Sequence, residues 1–238
     1  QDAVRYLWIS EHVSRGDWRL LPQLYTSPLL PAVIGLISRL TGEVVWTGRV
    51  FCLLANTLAV GLAMLLVRRI LPHRPALAWL TGLGLALNHV WCRTSVLVMT
   101  DNPFYPLLLG LFLLMLLLRQ KVTRGRALAF GLLWGLAYLT RDIGLYCGGL
   151  IFLILAGDAL WRARTLAARV SAALRLILPA GGVLLIIVAA WVYCLFLTFG
   201  VFSLGEGSKF YLQYTEALNQ QGDPLHYAKG ALGFFTLR

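Results

Sequence analysis

The feature that most constrains this chain is a succession of long apolar runs, with the charged residues confined largely to the gaps between them. Of its 238 residues, 59% are hydrophobic and only 13% are charged, and the mean hydropathy is +0.75. A soluble domain of this size could not bury so much apolar surface. Several runs approach the roughly 20 residues that a helix needs to cross a bilayer. The runs are continuous rather than alternating, which argues against a β-barrel. The sequence predicts an all-α, polytopic membrane protein.

We expect a single transmembrane domain with about six spans between residues 44 and 199. The predicted spans are 44–67, 76–92, 103–118, 127–140, 143–160 and 176–199. Before them, residues 1–43 form an outer loop with short interfacial helices, and prolines break the part before a short apolar helix at 32–40. After them, residues 200–230 form a second outer loop, and 231–238 begin a further span. We also expect the chain to be a piece of a longer protein.

The basic residues predict which side of the membrane each loop faces. The alternate loops 68–74, 119–126 and 162–175 hold eleven of the 21 Lys and Arg residues, with only Asp158 acidic nearby. Since positively charged loops stay in the cytoplasm, residues 1–43 and 200–230 are placed on the periplasmic or luminal side. The other nine acidic residues lie on that outer side. The net charge of +11 is therefore a topology signal that requires no nucleic acid partner.

The opening stretch QDAVRYLWISEHVSRGDW is polar and rich in aromatic residues, so it cannot cross a bilayer. It can lie at the membrane surface with Tyr6, Trp8 and Trp18 at the level of the headgroups. Our hypothesis is that it forms one wall of an active site, with Asp2 as the central acid. The alternative is that Asp2 is only the N-cap of a surface helix.

Two charged positions fall where spans end. Asp101, in VMTDNPF, is either a carboxylate for a metal or cationic group or part of a helix cap. In the cap, Thr100 or Asp101 satisfies free amide groups and Pro103 lies in the first turn, and for this residue alone we favour the cap. Arg141 and Asp142 follow a short span, at or below the outer interface, where charges are costly and are candidates for function. An Arg there is well placed to hold a phosphate. The alternative is a mutual ion pair that ends the helix.

The remaining polar side chains have simpler interpretations. Arg5, Arg93 and Lys209 are typical of residues that extend from an apolar surface to the interface. The four cysteines are far apart, and the four histidines show no metal-ligand spacing. There is no P-loop, HExxH or GxSxG sequence, which argues against an enzyme that uses a soluble nucleotide.

Five segments, taken in order, resemble one family: the lipid-carrier-dependent glycosyltransferases of the C-type membrane fold. This family includes protein O-mannosyltransferases and the aminoarabinose transferases of lipid A. The segments are DAVRYLWISEHVSRGDW, PQLYTSPLLPAVIGLISRLTGEVVWTGRV, VLVMTDNPFYPLLL, GLLWGLAYLTRDIGL and FGVFSLGEGSKFYL. Each is loose alone, and the ordered set covers essentially the whole chain.

The resemblance implies the transfer of a sugar from a polyprenyl-phosphate donor to a lipid, glycan or protein acceptor, with inversion at the anomeric carbon. The transfer would take place on the outer face of a membrane, and the bacterial inner membrane is the location that we expect. The resemblance gives Asp2 the role of general base. It makes Asp101 either a ligand of a divalent cation, Mg²⁺ or Mn²⁺, or a residue that helps to orient the substrates. The cations that it implies for the donor phosphate are Arg141, Lys209, Arg93 and Arg5.

This sequence departs from the family at two places, and two other classes of function stay open. Ser27-Pro28 replaces the Lys-Pro of the lipid A branch, which argues against that branch, and Thr140-Arg141-Asp142 lacks the usual proline. A transporter or flippase would use Asp101, Arg141 and Asp142 as intramembrane sites, but these charges fall at span ends and no internal repeat is visible. A non-catalytic membrane subunit with the same fold is the other possibility.

Overall fold

The computed structural model describes residues 2–22, 27–162 and 165–199, and every regular element in these ranges is helical. The helices are α1 (Asp2–Ser14), α2 (Leu29–Thr41), α3 (Val44–Ile70), α4 (Pro75–Leu87), α5 (His89–Ser95), α6 (Asp101–Gln120), α7 (Arg124–Thr140), α8 (Ile143–Arg162) and α9 (Leu166–Phe199), with one 3₁₀ turn at Trp18–Leu20. The prediction of an all-α, polytopic membrane protein is confirmed. The predicted segment 200–238, with Lys209, lies outside the described residues.

Four of the described helices are long and apolar enough to cross a membrane. They are Val44–Ile70, Asp101–Gln120, Ile143–Trp161 and Leu174–Thr198. The predicted span at 127–140 is the shorter helix α7. The predicted span at 76–92 is not one helix, because it breaks at Asn88. That residue has an extended backbone, and its Oδ1 accepts a hydrogen bond of 3.0 Å from the backbone N–H of Trp91 to cap α5.

The helices α1 and α2 are the two short helices of the opening segment, and they pack on the start of α3. A buried cluster joins them: Tyr6, Leu30, Ile34, Cys52 and Val98. The prolines do not delay α2 as predicted. Pro28 is its N-cap residue and Pro31 lies in its first turn, where a missing backbone N–H leaves no hydrogen bond unmade. The helix therefore begins at Leu29, three residues before the predicted start.

Glycines let α7 lie directly against α9. A Cβ atom on Gly131 would collide with the backbone carbonyl oxygen of Ala180, and one on Gly135 would collide with the side chain of Ile187. Two glycines four residues apart give a helix a flat stripe on which a second helix can pack closely within a membrane. The later residue of α7 contacts the later residue of α9, so the two helices run parallel.

The return helix α8 packs on another side of α7 by the same means. A Cβ atom on Gly144 would stand 2.5 Å from the backbone of Ala137. Gly148 leaves room for the ring of Trp134, whose indole N–H donates to the carbonyl of Leu145 at 3.0 Å. The main apolar core lies between α6, α7, α8 and α9.

Two ion pairs define the two ends of this bundle. At one end, Arg141 after α7 pairs with Asp101 at the start of α6; we call this the carboxylate end, and it also holds α1, α2 and the start of α3. At the other end, Arg119 Nε lies 3.2 Å from Asp158 Oδ2. We call that the basic end, because the loops predicted to be cytoplasmic meet there.

Gly131→Ala is expected to destabilise the protein, because a methyl group would be forced into the backbone of Ala180. Overpacking of this kind costs about 1–3 kcal/mol. The matched control is Gly61→Ala on α3, where nothing lies within 4 Å of the added atom. Thermal unfolding in detergent should show a lower midpoint for the first variant and no decrease for the second. Equal midpoints for the two variants would contradict the close contact.

Candidate active site

The ion pair between Asp101 and Arg141 is the centre of the candidate site. Arg141 Nη1 donates to Asp101 Oδ1, across forty positions of sequence. The antiparallel arrangement of α6 and α7 brings the first residue of one helix beside the residue that follows the other. The two side chains are 42% and 33% exposed, so a polar ligand can still reach both. Both residues were candidates from the sequence, but nothing in the sequence indicated that they form a pair.

The start of α6 favours a negative charge at Asp101. Thr100 is the N-cap residue, yet its side chain makes no capping hydrogen bond, so the cap that we favoured does not involve Thr100. The Asp101 carboxylate lies in the first turn, where the positive end of the helix dipole stabilises an anion. The helix dipole and the guanidinium of Arg141 both attract the negative charge of this side chain.

Asn102 fixes the segment that leads into Asp101. Its side chain is 1% exposed, and its Nδ2 donates to the backbone carbonyls of Thr94 at 3.0 Å and Leu97 at 2.6 Å. These bonds tie the end of α5 to the start of α6. Arg93 stands exposed on α5 just before them. Sequence analysis missed Asn102; the signal available was a second polar residue beside Asp101 at the boundary of a span.

Asp2 and Arg5 lie on α1, at the same end of the bundle. Asp2 is the first residue of the helix and is exposed, whereas Arg5 is half-buried. Among the described residues, no hydrogen bond or ion pair joins Asp2 to Asp101 or Arg141. The structure therefore brings Asp101 and Arg141 together and leaves Asp2 on a neighbouring helix.

A groove lies between α1 and the segment before α6. Ala3 forms one side, Val98 the other, and Trp46 and Arg49 of α3 line it between them. Its volume is about 530 Å³. Ala3 follows Asp2 directly, and Val98 stands three residues before Asp101. We call it the outer groove.

Tyr138 is a second polar residue that sequence analysis missed. Its side chain is 2% exposed, and within the described part of the chain its hydroxyl has no hydrogen-bond partner. It lies four positions before Asp142, which follows the end of α7 at Thr140. The available signal was a tyrosine near the end of a predicted span, four positions before a charged residue.

The metal that the resemblance implies for Asp101 does not fit the described residues by themselves. In residues 2–22, 27–162 and 165–199, no group of three or more His, Cys, Asp or Glu side chains could hold a metal ion. One oxygen of Asp101 is already bonded to Arg141, while Mg²⁺ and Mn²⁺ require several oxygen ligands. The cation at Asp101 stays a prediction.

The fold and the site are those of a polytopic helical membrane protein that carries a partly exposed ion pair at one end of its helical bundle. Residues 25–193 match the model of the dolichyl-phosphate-mannose-protein mannosyltransferase family, and the chain belongs to this family. It is therefore an integral membrane glycosyltransferase that uses a lipid-linked sugar donor. No curated protein and no solved structure shows a significant match to the chain.

The family match covers only some of the candidate residues. Arg93, Asp101 and Arg141 fall within residues 25–193, whereas Asp2 and Arg5 precede that range. The helix α1 is thus placed at the carboxylate end by its own packing on α2 and α3, independently of the match. The roles given to all these residues stay predictions.

Asn102→Ala is expected to loosen the segment between α5 and α6. The change removes the side-chain donor from the carbonyl of Leu97 and from that of Thr94, which keeps the backbone N–H of Leu97 at 3.0 Å. The loss should cost about 1–3 kcal/mol. Thermal unfolding measures the loss, and faster amide hydrogen exchange at 94–98 would locate it. Thr57→Ala is the control, because that exposed hydroxyl bonds only within its own helix, to the carbonyl of Leu53. An unchanged exchange rate at 94–98 would show that Asn102 does not hold the segment.

Proposed function

We propose that this protein transfers a sugar from a polyprenyl-phosphate donor to an acceptor on the periplasmic or luminal face, with inversion at the anomeric carbon. The observation that carries the proposal is the Asp101–Arg141 pair, which lies at the carboxylate end and within the family match. The family description makes mannose the first sugar to test. The acceptor is a lipid, a glycan or a protein.

The proposed chemistry is a direct displacement. The acceptor hydroxyl attacks the anomeric carbon, the bond from that carbon to the phosphate oxygen breaks, and the polyprenyl phosphate leaves with the electron pair. The hydroxyl proton passes to a carboxylate, for which we propose Asp2 as general base. Because attack and departure take place on opposite faces of the sugar, the configuration inverts.

Arg141 is proposed to stabilise the charge that develops on the leaving phosphate. A guanidinium has five N–H donors, so an Arg141 that gives one to Asp101 keeps others for phosphate oxygens. Such charge-assisted bonds are strong in a partly dehydrated site. Asp101 is proposed to fix the position of the guanidinium, and Arg5, Arg93 and Lys209 are further candidate phosphate ligands.

The proposed face follows from charge. The basic end collects arginines of the loops that the positive-inside rule assigns to the cytoplasm. The carboxylate end, with Asp2, Asp101 and Asp142, then faces the periplasm or lumen. A lipid-linked donor suits this arrangement, since its hydrocarbon tail stays between helices while the sugar-phosphate lies at the interface. We propose the bacterial inner membrane as the location.

Asp101→Asn and Arg141→Gln are each expected to lower kcat/KM for the lipid-linked donor by about 100-fold or more, the usual loss when one charge-stabilising group is removed. The matched controls are Arg119→Gln and Asp158→Asn, which break the other interhelical ion pair at the basic end. Transfer of labelled sugar in proteoliposomes measures the effect. If all four variants lost activity equally, the pair would be structural and the site would lie elsewhere.

Asp2→Asn is expected to slow transfer by about 100- to 10,000-fold, as for the loss of a general base, without loosening binding of the donor. The assay follows loss of label from a panel of polyprenyl-phosphate sugars in liposomes. Asp17→Asn is the control, because that carboxylate caps only the local 3₁₀ turn. An unaffected Asp2→Asn protein would remove Asp2 from the mechanism. Movement of label across the bilayer with no transfer would instead indicate a transporter.

A further inference from the structure

A second groove lies between α3 and α4, at the basic end of the bundle. Its walls are apolar apart from one arginine, and they consist of Met64, Leu65, Arg68, Pro75, Ala78 and Trp79. Its volume is about 380 Å³, within the roughly 300–1,000 Å³ of ordinary ligand pockets. We call it the basic-end groove. The proposed sugar transfer makes no use of it.

The basic-end groove exists because α3 and α4 are in close contact at one level and not at the next. A Cβ atom on Gly82 would collide with the thioether sulfur of Met64. One turn nearer the basic end, Ala78 on α4 and Arg68 on α3 take their places. Ala78 has only a methyl group, and the charge of Arg68 must leave the apolar layer. The space between the two helices therefore stays open at this level.

Arg68 stands at the boundary between hydrocarbon and headgroups. Arg49 and Arg68 are nineteen positions apart on the uninterrupted helix α3, which is about 29 Å along the axis at 1.5 Å per residue. The hydrocarbon core of a bilayer is about 30 Å thick, so these two arginines mark its two boundaries. Trp79 is 71% exposed, and tryptophan is typical of the headgroup level. The groove thus has lipid chains on one side and headgroups on the other.

The surroundings of Arg68 are positively charged and contain no compensating carboxylate. Arg69 and Arg74 belong to the same short connection, and the sequence between Glu43 and Asp101 holds no acidic residue. In the ranges that the structure describes, none of these three arginines forms an ion pair. All three are exposed. This end of the groove attracts an anion, whereas a choline headgroup would bring another positive charge to it.

We propose that the basic-end groove binds one anionic phospholipid, with its phosphate on Arg68 and one acyl chain over Ala78, between Leu65 and Trp79. Basic pockets between transmembrane helices on the cytoplasmic side bind anionic headgroups, and the positive-inside rule assigns the basic end to that side. The second acyl chain stays in the surrounding bilayer. The site lies at the opposite end of the bundle from Asp101 and Arg141, so it does not rest on the proposed function.

An acyl chain suits the basic-end groove better than a neighbouring helix. Helices pack closely in membranes where both surfaces carry small residues. Here Leu65 and Trp79 are 39% and 71% exposed at the edges of the groove, and side chains of this size keep a second helix at a distance. A flexible chain can follow the space between them to Ala78, which is 5% exposed.

A bound lipid would also stabilise the position of α4. Neither of the two buried apolar clusters in the described part of the chain includes a residue of α4, which packs on α3 and on the short helix α5. A lipid in the groove contacts α3 and α4 together. Since such a lipid binds the folded protein only, it should raise the temperature of unfolding by mass action.

The test uses the full chain in phosphatidylcholine nanodiscs that contain a phosphatidylglycerol probe with a diazirine on an early carbon of one acyl chain. After irradiation, mass spectrometry should place the label on peptides that contain residues 64–68 and 75–79. Unlabelled phosphatidylglycerol should compete, and additional phosphatidylcholine should not. Arg68→Gln should reduce labelling about tenfold, the worth of one charge-assisted hydrogen bond. Arg69→Gln removes the same charge beside the groove and should leave labelling nearly unchanged.

A second pair of variants guards against a folding defect in Arg68→Gln. Leu65 and Leu58 are 39% and 57% exposed on α3, and only Leu65 lines the groove. Leu65→Trp fills the groove, so it should abolish labelling and also the rise in unfolding temperature that phosphatidylglycerol gives the wild-type protein in mixed micelles. Leu58→Trp should retain both.

Four results would each overturn the lipid site. The first is label outside the two peptides, and the second is no label at all, which would leave the groove to a protein segment. The third is an equal loss of labelling in Arg68→Gln and Arg69→Gln, because it indicates only a general attraction of anionic lipid to the basic end. The fourth is competition by polyprenyl phosphate without competition by phosphatidylglycerol. Sugar transfer enters none of these readouts, so failure of the proposed function would leave the lipid site standing.

Discussion

The exclusion of charge from the hydrocarbon layer orders this structure. In lipid, a charged side chain within a span is costly and settles at a helix end, at a protein partner or at the interface. On α3 the arginines stand about one bilayer core apart, and on α6 the same holds for Asp101 and Arg119. A helix with this spacing places its charged residues at the two boundaries of the hydrocarbon layer. Asp101 and Arg141 meet because both were forced to the same end of neighbouring helices, and the candidate site grows from that meeting.

Close backbone contact fixes which helices become neighbours. Hydrophobicity does not choose between partners inside a membrane, because lipid is as apolar as a leucine side chain. Steric fit decides which helices pack together. Gly131 and Gly144 allow α9 and α8 to approach α7 at positions where any side chain would collide. Arg141 follows directly after α7, so the position of its guanidinium depends on packing several turns away. The charged pair is half-exposed and adds little stability by itself; the bundle holds the pair in place.

Hydropathy predicted the all-α, polytopic membrane protein, which is confirmed, and charge made Asp101 and Arg141 candidate site residues. They could not predict the pair, because forty positions separate the two residues and nothing in a single sequence says which loops are adjacent. The break at Asn88 was also missed, because the apolar run continues through it while the backbone does not. The early start of α2 was not predicted, because prolines usually interrupt a helix. Here they lie at the N-cap and in the first turn, where they are tolerated.

The substrate of a lipid-linked transferase divides into a chain that prefers hydrocarbon and a sugar-phosphate that prefers water. A protein that handles both must present an apolar surface and a charged surface on either side of one plane. Here the two surfaces are separate structures: α3 and α1 build the apolar groove, while α6 and α7 build the charged pair. The segment 96–102 belongs to both, since Val98 lines the groove and Asn102 fixes the same backbone beside Asp101. The lining of the groove and the position of Asp101 therefore depend on one short stretch of backbone, which the side chain of Asn102 holds in place.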